Sequence, residues 1–171
     1  MKMAYIDDEL RRLHETFCIM VSARGYSLRA LFAECGLSRT YYYKFRTEQL
    51  WNPTMSTLRR LLSCMSYSLF DLLSVRSIFD GEYLLALPDS GHELVPAGIT
   101  RMDIYHYIRD YYPEDRTMRF QSIFHNRDDG LSDIYYSTLV DVSAKLDMRI
   151  VELFGEIYRF TLFRRSHGKR S

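Results

Sequence analysis

Between Ser27 and Arg46 two short amphipathic segments are separated by only three residues, Gly36-Leu37-Ser38. In the first, Leu28, Leu31, Phe32 and Cys35 share one stripe, and Ser27 stands where a helix N-cap is expected. Gly36 supplies a left-handed residue to stop that helix, and Ser38 caps the next, which runs to about Arg46. So short a turn leaves two helices little freedom in how they cross, so this unit constrains the fold more than any other part of the chain.

The flanks read as helices too. Asp7 and Asp8 are helix starters, followed by a stripe of Ile6, Leu10, Leu13, Phe17 and Met20/Val21 that Gly25 terminates. Asn52-Pro53 breaks the chain, because the residue before a proline is biased away from helix. A fourth helix then carries Leu58, Leu61, Leu62 and Met65, and a fifth carries Leu69, Leu72 and Leu73.

At the level of residues, the run Arg24-Gly25-Tyr26-Ser27-Leu28-Arg29-Ala30-Leu31-Phe32-Ala33-Glu34-Cys35-Gly36-Leu37-Ser38 resembles the lambda-repressor/Cro (xenobiotic-response-element) family. The later Asn52-Pro53-Thr54, Ser56-Thr57-Leu58 and Ser68-Leu69-Phe70-Asp71-Leu72-Leu73 are similar to that family's closing helices, so the resemblance covers most of 7–74. It implies a mainly α protein opening with a five-helix repressor-type helix-turn-helix domain over 1–75, whose third helix enters the DNA major groove. Two departures stand out. Arg46 replaces the family's usual glutamate, and the loop before Pro53 is one residue longer.

With Tyr42 and Phe45 as inward anchors, steps of about 100° point Thr40, Tyr43, Lys44 and Thr47 outward. Arg39 opens the helix, where a cation opposes the macrodipole by about 0.3–1 kcal/mol; bidentate bonding to a guanine edge would give it a role there. Thr40 suits a base or a thymine methyl, Lys44 and Arg46 a base or a phosphate, and Ser27 and Arg29 phosphates. The DNA-binding residues expected are therefore Arg39, Thr40, Tyr43, Lys44, Arg46, Ser27 and Arg29. Tyr42 belongs to the core, while Tyr41 and Tyr43 are open between core and surface.

Charge divides the chain further. Residues 1–75 carry +3, 76–158 carry −7 and the tail 159–171 carries +5. Gly81, Pro88, Gly91, Pro96 and Gly98 interrupt residues 76–99, which read as a linker or small hairpin around Pro88-Asp89-Ser90-Gly91. Helical signals return at Thr100, with stripes at Met102, Ile104/Tyr105 and Ile108, then Phe120, Ile123 and Phe124. Ser137-Thr138-Leu139 repeats Ser56-Thr57-Leu58 at a spacing of 81, which sets Val142, Leu146, Ile150 and Leu153 opposite Leu61, Met65, Leu69 and Leu72. A competing register pairs Gly130-Leu131-Ser132 with Gly36-Leu37-Ser38.

Residues 100–158 thus read as a diverged copy of the front domain, too acidic to welcome a phosphate backbone and suited to dimerisation or a protein partner. Arg116 and Arg119 are the counter-evidence, and Arg159, Arg164, Arg165, Lys169 and Arg170 make a basic tail.

His14, His92, His106, His125 and His167 form no metal-ligand spacing, and no phosphate loop or nucleophile elbow is present. No enzyme activity, cofactor or metal is expected. Cys18, Cys35 and Cys64 read as reduced core thiols, and no apolar run reaches membrane-span length, so a cytoplasmic protein is expected. The expected function is a sequence-specific transcriptional repressor of phage or mobile-element type, a homodimer on an inverted repeat of double-stranded DNA. The alternative is a protein-binding inhibitor or adaptor, similar in layout to some phage anti-CRISPR proteins, with the acidic second domain as its working surface and the front domain autoregulating.

Overall fold

The computed structural model describes residues 2–48, 50–69, 71–72, 101–112 and 134–167. The expected linker or hairpin at 76–99, the second aromatic stripe at 120–124 and residues 130–132 of the competing register lie outside them. The protein is mainly α. Its helices are α1 (Lys2–Ala23), α2 (Leu28–Glu34), α3 (Arg39–Thr47), α4 (Met55–Cys64), α5 (Arg101–Tyr111), α6 (Tyr136–Lys145) and α7 (Ile150–His167). Helical backbone also occurs at Leu69, Asp71 and Leu72, where the fifth front helix was expected. Among the described residues none of these helices is long and apolar enough to cross a membrane.

Apolar spacing explains the packing. Leu10, Leu13, Phe17, Met20 and Val21 of α1 are buried together with Leu31 and Phe32 of α2 and Leu58, Leu61 and Leu62 of α4. One feature of α1 departs from expectation: it begins at Lys2, well before Asp7, because Tyr5 and Ile6 also pack on the core and hold an additional turn. Four helices end in the same way. Tyr26 N–H donates to the Val21 carbonyl at 3.2 Å and Leu37 N–H to that of Phe32 at 2.9 Å, with Gly25 and Gly36 both at φ +70°. Tyr67 N–H to Leu62 and Met148 N–H to Ser143, each 2.9 Å, close α4 and α6 around Ser66 (φ 59°) and Asp147 (φ 55°). This is the Schellman closure, which satisfies carbonyls that have no partner inside the helix.

Ser66 and Asp147 are 81 residues apart, and they are not alone in that spacing. Ser68 N–H donates to Asp71 Oδ2 at 2.6 Å, and Arg149 N–H donates to Glu152 Oε2 at 2.9 Å, so the same carboxylate-to-backbone cap starts the next helix in both halves, with Ser68 Oγ completing the capping box in the front one by accepting from Asp71 N–H at 3.2 Å. Leu58, Leu61, Met65, Leu69 and Leu72 are buried, and so are Leu139, Val142, Leu146, Ile150 and Leu153 at the equivalent positions.

Front and rear are joined directly. Thr54 and Tyr135 form an isolated antiparallel bridge, flanked by Met55 N–H to Ile134 O (2.8 Å) and Tyr136 N–H to Pro53 O (2.9 Å). Helix α6 packs on α1, α7 on α5 and α6, and the buried apolar residues form one continuous cluster running through both halves.

Candidate nucleic-acid interface

Local capping shapes the unit formed by α2, the turn and α3. Ser27 Oγ accepts from Ala30 N–H at 3.2 Å and Ser38 Oγ from Tyr41 N–H at 3.1 Å, so both helices start at the serines the sequence marks. Phe32 of α2 then meets three rings of α3, with centroids 5.9 Å from Tyr41, 5.9 Å from Tyr42 and 5.0 Å from Phe45. These contacts fix the crossing of the two helices.

The inner face of α3 has two further supports. The His14 ring of α1 stacks on Phe45 at 4.4 Å, and its Nε2 lies 3.1 Å from the Phe45 carbonyl. A carbonyl only accepts, so Nε2 carries the proton and donates. Phe45 lies in the last turn of α3, where carbonyls lack intrahelical donors, and His14 supplies one from outside. Trp51, in the loop after α3, donates from Nε1 to Tyr41 Oη at 3.1 Å and sets its ring edge-on to Phe45 at 4.9 Å. Tyr41 is therefore half-buried against the core and its hydroxyl is occupied; burial pushes its pKa above the ordinary phenol value despite the Trp51 hydrogen bond.

On the outer face the side chains of Arg39, Thr40, Tyr43, Lys44, Arg46 and Thr47 are all exposed, as the helical steps from Phe45 require. Arg39 is not loose. Its Nη2 donates to Tyr43 Oη at 3.4 Å and its guanidinium lies 5.7 Å from the centre of that ring, one helical turn on. Arg46 lies over Tyr42 at 5.9 Å. Thr47 turns back and donates to the Tyr43 carbonyl at 2.8 Å, leaving Thr40 and Lys44 as the simpler reaching groups.

Electrostatics converge on Tyr43. Its hydroxyl is held below the ordinary phenol range, first by the Arg39 hydrogen bond, then by the Arg39 charge, with Arg29 and Arg46 adding to it. A cleft of about 280 Å³ lies between α2 and α3, lined by Arg29, Phe32, Ala33, Leu37, Ser38, Arg39, Tyr42, Tyr43 and Arg46. Three guanidiniums and no carboxylate line it, over an aromatic and aliphatic floor. Such a surface carries a positive potential over an apolar floor.

The structure thus gathers four of the seven expected residues, Arg29, Arg39, Tyr43 and Arg46, around one cleft. Thr40 and Lys44 stand exposed on α3 without lining it, and Ser27 is exposed but spends its oxygen as a cap. Missing from the expected set were His14 and Trp51, which hold α3 in place, and the outward edge of Tyr42, which is half-buried and still lines the cleft. Helical spacing does put His14 on the inward stripe, four residues after Leu10 and three before Phe17, but it does not show which distant group the ring meets. Among the described residues no cluster of three or more His, Cys, Asp or Glu is placed to hold a metal ion. Comparison with protein-family models, curated proteins and solved structures finds no match to this chain.

Proposed function

We propose that this protein is a sequence-specific DNA-binding transcriptional regulator whose α3 lies in the major groove. The observation that carries the reading is the two-sided construction of α3. Its inner face is fixed by Phe32, His14 and Trp51, and its outer face presents Arg39, Thr40, Tyr43, Lys44 and Arg46 with no acid among them. A rigid backbone presenting cations is what base readout needs, because a loosely held helix would lose the alignment of bidentate contacts. In this reading Arg39 and Lys44 meet base edges, Thr40 a base or thymine methyl, and Arg29 and Arg46 the phosphates of the groove walls.

The test is binding of the full chain to DNA from upstream of its own gene, against a scrambled control, by fluorescence anisotropy across a salt series. Arg39→Ala lowers affinity for the preferred site about 5- to 100-fold and leaves binding to the scramble little changed. Arg29→Ala weakens both alike and reduces the salt slope by about one. Equal binding to both DNAs at moderate salt overturns the proposal and turns attention to protein partners of the acidic half.

A further inference from the structure

How many chains meet one DNA site follows from the junction between the two halves. We infer that this chain is an internal pseudo-dimer: the two-fold contact that would join two single-repeat subunits is made inside one polypeptide, which acts as a monomer and presents a single α3 to an asymmetric DNA site. The DNA part rests on the reading above; the internal pairing does not.

In a two-fold interface residue i of one copy meets j of the other, and j meets i. A shift of 81 residues matches Pro53 to Ile134, Thr54 to Tyr135 and Met55 to Tyr136. Met55 N–H donates to the Ile134 carbonyl at 2.8 Å, and Tyr136 N–H donates to the Pro53 carbonyl at 2.9 Å. Exchanging each residue for its equivalent turns the first bond into the second. Thr54 bridges Tyr135, its own counterpart. A chance contact between two helix starts has no reason to pair each residue with its own repeat, whereas a duplicated, formerly two-chain contact does.

That surface is no longer available to a second chain. Pro53, Met55, Ile134 and Tyr136 are all buried in the common core, and α6 is packed on α1. Charge separates the halves as well: residues 76–158 carry −7 where 1–75 carry +3, so a phosphate backbone is drawn to the front half and repelled by those residues. One chain therefore pairs its two repeats internally and carries its positive charge on one of them, and the homodimer on an inverted repeat gives way to a monomer on a site without two-fold symmetry.

Two measurements test this. Thr54 and Tyr135 form the non-hydrogen-bonded kind of antiparallel pair, about 4.5 Å between Cα atoms, within reach of a disulfide. The double variant Thr54→Cys/Tyr135→Cys, oxidised with diamide and mapped by mass spectrometry, gives an intrachain 54–135 link at monomer mass. The same link between two chains means the pairing is made in trans and overturns the inference. The unmodified chain sediments at 20.4 kDa over the micromolar range, and selection from random DNA yields a non-palindromic consensus bound by one chain. A species of twice that mass, or a palindromic consensus bound by two chains, also overturns it. A monomer with the intrachain link that selects no DNA supports the internal pairing and sinks the DNA reading instead.

Discussion

Asn52 belongs to the front half of the chain but caps a helix in the rear half. At the start of α4 the N-cap Thr54 accepts from Thr57 N–H at 3.3 Å, as its residue type favours. At the equivalent start of α6 the N-cap is Tyr135, which makes no side-chain cap bond. Asn52 Oδ1 takes that place by accepting from Ser137 N–H at 3.0 Å, while its Nδ2 donates to Ser137 Oγ at 2.8 Å. Asn52→Ala removes both bonds. A lost cap costs about 1 kcal/mol and a neutral hydrogen bond about 1 kcal/mol more, giving roughly 2 kcal/mol in all. The assay is urea unfolding, followed by circular dichroism and by fluorescence of Trp51, the single tryptophan, buried one residue from the change. Tyr135→Asp gives α6 a local cap, so in that background Asn52→Ala should cost only about 1 kcal/mol. A cost below about 0.5 kcal/mol, or the same cost in both backgrounds, would refute capping across the junction.

Four further outcomes follow from the geometry. Ser66→Gly relieves a non-glycine residue held at φ 59° and should stabilise the protein by about 0.5–1 kcal/mol in the same unfolding assay, with Asp147→Gly smaller because aspartate tolerates that conformation better. His14→Ala removes a ring stack and a donor and should cost about 2 kcal/mol, while His14→Phe keeps the stack and should cost about 1. Hydrogen exchange should show faster opening of α3 than of α4 in both His14 variants; equal protection would mean that His14 does not hold α3. Tyr43 titrates below an ordinary tyrosine because Arg39 stabilises the phenolate, so its proton leaves at lower pH. Arg39→Ala should move the Tyr43 ring-carbon NMR midpoint upward, and an unmoved midpoint would argue against the Arg39–Tyr43 contact.

Much of the architecture is written in local signals. Ser27, Ser38, Gly25 and Gly36 mark helix ends because a cap or a left-handed turn needs only neighbouring residues, and each does that job in the structure. The buried stripes of α1, α2 and α4 follow from spacing for the same reason. The outward set Thr40, Tyr43 and Lys44 came from steps of one helix around Phe45 and is exposed as expected. What spacing could not give was anything made between distant segments. The His14–Phe45 stack and the Trp51–Tyr41 bond join residues whose pairing has no sequence period. Two bonds of the 54–135 bridge run between backbone groups, which carry no side-chain signature at all. The repeat was legible through Ser-Thr-Leu, yet the replacement of the Thr54 cap by Tyr135 looks neutral until Asn52 is seen reaching across.

The four residues Trp51 to Thr54 serve both halves of the chain at once. Trp51 reaches back to Tyr41 and Phe45 and braces α3, and Asn52 caps α6. Pro53 offers no N–H, so at that position only its carbonyl pairs, with Tyr136, and Thr54 then starts α4. Trp51 and Asn52, though adjacent, serve opposite halves without competing. Bracing of α3 and docking of the rear half are therefore built into one stretch of chain, and a substitution there should be felt at both.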